Sequence, residues 1–495
     1  MKQLLPAVLL AAALLTACGS ESAKDSVTQA AQDSAAVTEA VTEDERAPYA
    51  ELAPEVQDFG GYNFRIFVNG EFNEGSSPQY FAYEENGETV NDAVFRRNTA
   101  VAERYNITIT PVTGFSHSDD YSLALQNIQA GDDFADVTGL FLIQSSIKLA
   151  QAGALLDWND YDAINLSAPW WDSRVKDLEV YGKQYVLTGD IATADDMRQM
   201  VVTYNKALWN EMDYEDAYTI VKEGRWTLDL MYSLAKDVSK DLNGDGKMTV
   251  ADQWGILSET KAAWYLFLGS GQKSIIYDGT SYISNLSDAD NYDVMNGVIE
   301  IMSDTDNVCV INDGTHDGEL TTDGVWDEAS KIFAEGRTLL HTETFNGTEK
   351  LRNMGQDYGV LPIPKWSEAQ EEYYCMTNDD ICMLSLPTTV SDPERAALII
   401  EAMAYESMFV LQPTFYEVYL SEKLLRDEQS REMMDLVLDS KFFDMDFCFG
   451  AITGMSEAME SMASSKQNKI SSRIASLEKS AQKKIDKLLD AITEN

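Results

Sequence analysis

The chain has 495 residues, of which 83 are acidic and 37 are basic, and its formal net charge is −46. With 44% hydrophobic residues and little Gly or Pro, the composition is that of a folded globular protein and excludes a disordered or collagen-like chain. So strong a negative charge argues against a nucleic-acid partner, because phosphates would be repelled. The length predicts two or three domain-sized units.

The N-terminal residues have the pattern of a secretory signal. Lys2 precedes an apolar run over 4–15, which is shorter than the roughly 20 residues that a membrane-spanning helix needs. The run ends in LTAC at 15–18, which resembles the bacterial lipobox, in which the cysteine is lipidated and becomes the new N-terminus. We expect a signal peptide over 1–17 and a lipid anchor at Cys18, on the extracytoplasmic side of the cell membrane. The alternative is an ordinary signal peptide with a chance cysteine.

The next segment, 18–58, is a predicted linker. It is rich in Ala, Ser, Thr, Glu and Asp and has few large apolar groups. Such a segment buries too little apolar surface to offset the entropy lost on ordering. We therefore expect a flexible tether between the lipid and the folded body.

The remaining cysteines are spread along the body and show no CxxC metal spacing. They are Cys309, Cys375, Cys382 and Cys448. Four cysteines allow three pairings, among which the sequence does not choose. We expect buried free thiols.

The first half of the body alternates strand and helix patterns. The segment 62–68 (YNFRIFV) alternates apolar and polar residues, apolar residues recur at helical spacing from Val90 to Tyr105, and 107–110 is short and β-branched. The continuous apolar run 135–143 suits a buried parallel strand. This β-α-β-α-β order predicts a doubly wound sheet, in which ligands bind beyond the carboxyl ends of the strands.

The second half continues the α/β pattern and ends in helices. Further strands are predicted at 182–188, 200–204 and 376–387. Apolar residues recur at helical spacing over 470–492, which predicts an amphipathic helix packed on its own domain or, alternatively, a partner surface.

Several short blocks in the body resemble, in order and spacing, those of bacterial extracellular solute-binding proteins of family 1, the ABC-importer group similar to maltose- and oligosaccharide-binding proteins. The blocks are 153–157 (GALLD), 182–187 (GKQYVL), 204–206 (YNK), 225–227 (RWT), 333–337 (FAEGR) and 358–364 (YGVLPIP). The sequence departs from the family pattern at Thr188, where proline is usual, and at Leu339-Leu340, where a small residue and methionine are usual.

The resemblance implies a periplasmic-binding-protein-like α/β fold of two doubly wound lobes joined by crossing hinge strands. Lobe one would comprise 59–188 plus 376–408, and lobe two 190–372 plus 409–495 with the C-terminal helices. Such a protein is expected to be a monomer that closes its lobes on a solute and delivers it to the transmembrane subunits of an ABC permease. No cofactor would be required.

The segment 241–252 (DLNGDGKMTVAD) matches the spacing of a calcium-binding loop. Its ligands would be the side chains of Asp241, Asn243, Asp245 and Asp252 and the carbonyl group of Lys247. A polar turn without an ion is the alternative. The acid at position twelve is Asp rather than Glu, and the segment that follows resembles a strand rather than the helix of an EF-hand. In either case the loop would be structural.

Aromatic side chains are expected to contact a sugar, because sugars present apolar C–H faces to flat rings. Trp170 and Trp171 lie just before the first predicted crossing, and Trp264 follows a predicted strand at the start of a helix. For each of them core packing is the alternative.

Polar ligand contacts are expected from segments near the cleft. Glu71 follows the first strand, Asp195 and Arg198 follow the first crossing, and Glu343 follows the block at 333–337. Guanidinium and carboxylate groups bind neighbouring hydroxyls in fixed geometry. Solvated surface charges or ion pairs are the alternative for each.

Sequence signatures of enzymes are missing. His117, His316 and His341 form no HExxH motif, and GxSxG, GxGxxG and P-loop patterns do not occur. Together with the carbohydrate binding that the resemblance implies, this predicts a binding protein rather than an enzyme. The alternatives are a lipid-anchored glycan-active enzyme using paired carboxylates and a stand-alone surface glycan-binding protein.

Overall fold

The computed structural model describes residues 43–69, 80–114, 117–316, 318–322, 324–352, 354–378 and 380–493. By their contacts, the described residues form one compact unit. The predicted signal peptide, the lipidation site Cys18 and the predicted contact Glu71 lie outside the described residues. Among the described residues, no helix has the length and apolar character required to cross a membrane.

The described residues form the following strands: β1 (Tyr62–Val68), β2 (Ile107–Thr113), β3 (Val137–Phe141), β4 (Leu155–Leu156), β5 (Met200–Asn205), β6 (Trp254–Ser258), β7 (Ile275–Tyr277), β8 (Tyr282–Ser284), β9 (Val308–Val310), β10 (Thr338–Thr344), β11 (Tyr358–Pro362), β12 (Cys375–Met376), β13 (Cys382–Pro387) and β14 (Lys441–Phe442). The α-helices are α1 (Glu43–Arg46), α2 (Thr89–Tyr105), α3 (His117–Ala130), α4 (Ile147–Gln151), α5 (Ala194–Met197), α6 (Lys206–Glu211), α7 (Ala217–Lys222), α8 (Leu228–Lys236), α9 (Ala262–Gly269), α10 (Ala289–Met302), α11 (Val325–Ala334), α12 (Pro393–Pro413), α13 (Glu428–Asp439), α14 (Met445–Cys448), α15 (Met455–Ser465) and α16 (Ile470–Thr493).

The first five-stranded sheet has the order β2-β1-β3-β13-β4. Strand β1 pairs in parallel with β2 and β3, whereas β13 returns from late in the sequence and pairs antiparallel with β3 and β4. All five residues of β3 are buried, which explains the continuous apolar run in its sequence.

The second five-stranded sheet has the order β11-β5-β10-β6-β9. Strands β10, β6 and β9 run in parallel, and β5 is antiparallel to both of its neighbours. The predicted α/β fold class, with two sheets of largely parallel strands covered by helices, is confirmed.

Two of the segments that connect the sheets lie side by side. The first crossing segment, 188–199, leads to β5, and the second, 377–381, leads to β13. Antiparallel bridges join Leu187 to Leu384 and Gln199 to Thr377 at their ends. The predicted strand 376–387 is therefore wrong in one respect: it is two strands, β12 and β13, separated by a polar turn in which the Asp380 amide donates to Asn378 Oδ1 over 3.0 Å.

The predicted strand at 182–188 is also wrong. Residues 180–187 form only isolated bridges, including Val180 with Lys183 and Leu187 with Leu384. No neighbouring strand continues the ladder on this segment, so its apolar side chains pack into the core without forming a regular strand.

The C-terminal helix α16 packs on both cores. Ile470, Ile474 and Ala481 belong to the core of the second sheet, whereas Ile485 and Leu489 belong to the core of the first. The predicted amphipathic helix is confirmed. The predicted lobe boundaries, including the assignment of 409–495 to lobe two, stay a prediction.

The end of the predicted tether is ordered. Arg46 forms an ion pair with Glu406 at 2.6 Å and lies over the ring of Phe409 at 4.6 Å from its centroid. Tyr49 packs edge-to-face on the same ring. These contacts, which the composition of 18–58 did not show, offset the ordering entropy of 43–58.

The cysteine prediction is confirmed for the body. Cys309, Cys375, Cys382 and Cys448 are buried and form no disulfide within the described part of the chain. Burial raises the pKa of the Cys375 thiol to about 11, which keeps it protonated and unreactive at neutral pH.

Candidate functional site

The carboxyl edges of both sheets meet the crossing segments. Beyond β3, the Leu142 amide donates to the Ile381 carbonyl oxygen over 2.9 Å, and beyond β10 the Phe345 amide donates to the Gln199 carbonyl oxygen over 2.8 Å. Both edges are therefore hydrogen-bonded to the chain that connects the sheets. In open α/β sheets this edge is where ligands bind, so it is the candidate site.

A polar network occupies the crossing segments at this edge. Arg198 Nη1 lies 3.0 Å from Asp380 Oδ2, and the two side chains are 24% and 39% exposed. Asn378 Nδ2 donates to Tyr265 Oη over 3.1 Å, which ties helix α9 to the second crossing. We call these four residues the crossing network. It offers a guanidinium, a carboxylate, an amide and a phenol, groups that can donate to and accept from hydroxyls.

The edge of the first sheet adds a buried polar pair and an aromatic segment. Asn69 Nδ2 donates to Asp120 Oδ2 over 2.5 Å. Tyr80 Oη donates to the Cys382 carbonyl oxygen over 2.8 Å, and its ring lies where a side chain on Gly139 would clash at 2.5 Å. Because residue 139 of β3 is glycine, the Tyr80 ring packs directly on this strand. The segment that follows Tyr80 in the sequence therefore begins next to the second crossing.

Two of the predicted polar contacts lie near this edge. Arg198 belongs to the crossing network. Glu343 lies at the carboxyl end of β10, where its Oε1 accepts from Thr203 Oγ1 over 2.7 Å and lies 3.3 Å from His341 Nδ1. The Glu343 carboxylate therefore contacts side chains of its own sheet and is not part of the crossing network. The ligand roles of both residues stay predictions.

The predicted ligand contacts Trp170 and Trp171 are wrong. Both side chains are buried, and their indole N–H groups donate to Glu401 Oε1 over 3.1 Å and Oε2 over 2.7 Å. A carboxylate on helix α12 satisfies both indoles inside the core of the first sheet, so neither tryptophan belongs to the crossing network.

The predicted contact Trp264 is wrong for the same reason. It is fully buried in the core of the second sheet, and its ring centroid lies 4.8 Å from that of Phe267. Every residue of helix α9 is buried, and Tyr265 reaches the second crossing through its hydroxyl group, whereas the Trp264 ring packs in the core.

We expect Trp264→Phe to leave carbohydrate affinity unchanged, because the indole contacts core side chains alone. Isothermal titration calorimetry of the variant and the wild type with the same sugar checks this. A loss of affinity in a variant whose melting temperature is unchanged would return Trp264 to the site.

The predicted contact Asp195 is also misplaced. Asp195 is buried in an ion cluster in which Lys441 Nζ lies 2.7 Å from Asp195, 2.8 Å from Asp196 and 2.6 Å from Asp172. Burial raises the pKa of Asp195 to about 6, although Lys441 opposes the shift. The sequence did not reveal this pairing because Lys441 lies far along the chain.

Three buried acidic side chains make the stability of the folded protein depend on pH. Burial raises the pKa of Asp195 to about 6 and the pKa values of Glu401 and Asp444 to about 7, the last with help from neighbouring Asp446. The folded state thus binds more protons than the unfolded state between about pH 4.5 and pH 7, so stability is lost as the pH rises through this window. We expect a higher melting temperature at pH 5 than at pH 7.5.

Calorimetric melting at the two pH values checks this expectation, and Asp444→Asn should narrow the difference because it removes one titrating group. A melting temperature that rises from pH 5 to pH 7.5 would contradict it.

The predicted calcium loop is held by its own hydrogen bonds. Asp241 accepts from the amides of Gly244 and Gly246, each over 2.7 Å, and Asp252 accepts from the amides of Leu242 and Thr249 over 2.9 and 2.8 Å. The same pattern continues with Asn243 and Asp245, which accept from the amides of Asp245 and Lys247. Within the described ranges, no group of three or more His, Cys, Asp or Glu is placed to hold a metal ion. Calcium at this loop stays a prediction.

Sequence reasoning missed most of the crossing network. Asn378 and Asp380 lie in the polar interruption TNDD between two apolar runs, a signal that was present in the sequence. Tyr265 carried no such signal, because it lies inside an apolar helix. The same holds for Asp120, the partner of Asn69 at the edge of the first sheet, which lies inside a helix of mixed polarity.

Sugar-binding proteins of ABC transporters share this fold. A sugar transporter from Rhizobium etli in an open conformation aligns with a TM-score of 0.57 and 11% identity over 85% of this chain and 99% of the other. The maltose/maltodextrin-binding domain from Bdellovibrio bacteriovorus bound to maltotriose gives 0.52 and 14% over 86% and 100%. An ABC substrate-binding protein from Listeria monocytogenes in complex with cycloalternan gives 0.52 and 13% over 86% and 98%.

The likeness covers nearly the whole length of these proteins and establishes the maltodextrin-binding-protein-like periplasmic binding fold. No protein-family model and no curated protein sequence matches the chain.

Proposed function

We propose that the chain is the substrate-binding lipoprotein of an ABC transporter. It captures a carbohydrate, specifically an oligosaccharide, between its two sheets and delivers it to a membrane permease. The observation that carries the proposal is the fold shared over 85–86% of this chain with proteins described as sugar transporters or as bound to sugars. In both sheets the carboxyl ends of the strands lie against the crossing segments. This arrangement supports a ligand position between the two sheets, at the crossing segments.

The chemistry of the crossing network suits a sugar. The Arg198 guanidinium and the Asp380 carboxylate can bind neighbouring hydroxyls as donor and acceptor, and Asn378 can do both. We further propose Phe81 and Tyr83 as the stacking surface, in place of the buried tryptophans. Their rings pack edge-to-face at 5.0 Å next to Tyr80, and Tyr83 is 64% exposed.

Calorimetric titration of the full-length chain in detergent tests the proposal. The panel contains maltose, maltotriose, maltotetraose and a cyclic glucan, with dipeptides as non-sugar controls. We expect saturable binding of at least one oligosaccharide and none of the dipeptides. Mass spectrometry of the recovered sugar should show it unaltered, whereas cleavage would favour the glycan-active enzyme.

The lipid anchor is proposed from the tetrapeptide LTAC at 15–18. We expect the wild type, expressed in a bacterium, to incorporate radioactive palmitate and to fractionate with membranes. Cys18→Ala should lose both properties. Membrane association of the unlabelled variant would contradict the anchor.

Delivery to a permease is proposed from the fold, and it distinguishes transport from a stand-alone glycan-binding protein. We expect genes for two membrane permeases next to the gene for this chain. Deleting them should abolish sugar uptake and leave binding by this protein intact.

We propose that folding requires no cofactor, because backbone amides already satisfy the loop carboxylates of Asp241 and Asp252. In excess chelator we expect an unchanged circular dichroism spectrum and melting temperature. A fall in melting temperature that calcium alone reverses, and that Asp241→Ala abolishes, would instead establish the calcium site.

A further inference from the structure

A cavity of about 490 Å³ lies against the first crossing segment. Its wall combines Asp190, Asp195 and Asp196 from that segment with Asp172, with Gln412 from α12 and with Lys441 from β14. No member of the crossing network lines it. We call it the hinge cavity. Its volume is within the range of small-molecule sites, roughly 300–1,000 Å³.

Two backbone segments beside the hinge cavity pack closely against each other. Gly189 has φ +154°, and a side chain there would meet the Trp170 carbonyl oxygen at 2.4 Å. Glycine at this position lets the first crossing segment run directly against the segment that carries Trp171 and Asp172, which form the opposite wall.

Acidic groups outnumber the available cations in this wall. It contains Asp172, Asp190, Asp195 and Asp196, and the cations are Arg174, Lys176 and Lys441. Lys441 is ion-paired with three of the aspartates, and Arg174 Nε pairs with Asp172 at 2.8 Å. Lys176 is exposed at the rim. Burial, with the neighbouring carboxylates of Asp196 and Asp195, raises the pKa of Asp190 well above its usual value. The cluster is therefore short of positive charge, and a positively charged guest would relieve the repulsion among its carboxylates.

Two buried acceptors in the wall have neither a hydrogen bond nor an ion pair among the described residues. They are Asp195 Oδ1 and Gln412 Oε1, whose residues are 2% and 9% exposed. A buried acceptor without a donor is destabilising, so a guest that donates hydrogen bonds to these two atoms is stabilised in the cavity. Both are oxygen atoms, so the complementary guest supplies N–H or O–H groups.

We propose that the hinge cavity is a second binding site, for a small ligand that carries a primary ammonium group. An ammonium has three donors and a positive charge, which match the two acceptors and the excess of carboxylates. A metal ion fits less well, because in the described part of the chain no three acids are placed to hold one.

Calorimetric titration of the full-length chain with 1,4-diaminobutane tests the site, at about 0.15 M salt, where exposed charges are screened beyond about 8 Å. We expect saturable binding of one diamine per chain and no heat from 1,4-butanediol or succinate, which have the same carbon chain without the charge or with the opposite charge. Binding of the diol as well as the diamine, or binding of neither compound, would overturn the proposal.

Matched variants separate the site from general attraction to an acidic protein. We expect Asp195→Asn to weaken diamine binding about tenfold or more, because it removes the charged acceptor. Asp293→Asn makes the same charge change at an exposed position of α10 and should bind as the wild type does. Equal affinity in the two variants would show a diffuse ionic effect and overturn the site.

A second variant keeps the test valid if Asp195→Asn does not fold. Gln412→Leu removes the other unpartnered acceptor and leaves the ion pairs of Lys441 intact. It should also weaken diamine binding, and an affinity equal to that of the wild type would contradict the proposal.

Discussion

Replacing Lys441 with Met is expected to lower the free energy of unfolding by about 3–5 kcal/mol, the range for removing one partner of a buried ion pair. Lys441 is 5% exposed and lies within 2.8 Å of carboxylates from Asp172, Asp195 and Asp196. Without the ammonium, these carboxylates are left buried, and the segments that carry them repel one another. Urea unfolding at pH 7.5 measures the loss.

The control for this variant is Lys222→Met. Lys222 pairs with Glu432 on the surface, where the two side chains are 49% and 51% exposed. Exposed pairs contribute about 0–1 kcal/mol, so the control should unfold nearly as the wild type does. We also expect the loss in Lys441→Met to be smaller at pH 5, where the unpaired carboxylates take up protons. Equal, small losses in both variants would show that the cluster does not stabilise the hinge.

Replacing Arg198 with Ala is expected to weaken carbohydrate binding by about tenfold to a hundredfold. Hydrogen bonds to charged groups contribute about 1.5–3 kcal/mol, and each 1.4 kcal/mol changes the affinity tenfold. Arg198 is the partly exposed cation of the crossing network and pairs with Asp380 at 3.0 Å. Titration calorimetry with the best sugar of the panel measures the change.

Arg225→Ala is the matched control, since Arg225 pairs with Glu215 and Glu223 on the surface, away from the crossing segments. It should bind sugar as the wild type does. Because the Arg198 pair is partly exposed, the melting temperature should change little in either variant. Unchanged affinity in a folded Arg198→Ala variant would remove the crossing network from the site.

The fold was predictable because its signals are local. The apolar run of β3, the alternation in β1 and the helical spacing in α2 each reflect burial within one element. The short blocks that resemble solute-binding proteins then indicated how the elements connect. The turn that separates β12 from β13 was also visible as a polar interruption, although the sequence analysis treated the whole stretch as one strand.

The site was less predictable because its members depend on distant partners. Trp170 and Trp171 would suit a sugar cleft, but Glu401, some 230 positions away in the sequence, binds both indoles inside the core. Asp195 was expected just after the first crossing and lies within the crossing segment, but Lys441, 246 positions away, draws it into the interior. Sequence pattern gives the element on which a polar residue lies, whereas tertiary contacts decide which way its side chain faces.

Small-angle X-ray scattering of the chain with and without a saturating sugar tests most directly whether two halves close on a carbohydrate. The account predicts that the radius of gyration falls when the sugar is bound, because closure brings the two sheets together over the ligand. An unchanged radius of gyration in a sample that calorimetry shows to be saturated would contradict it.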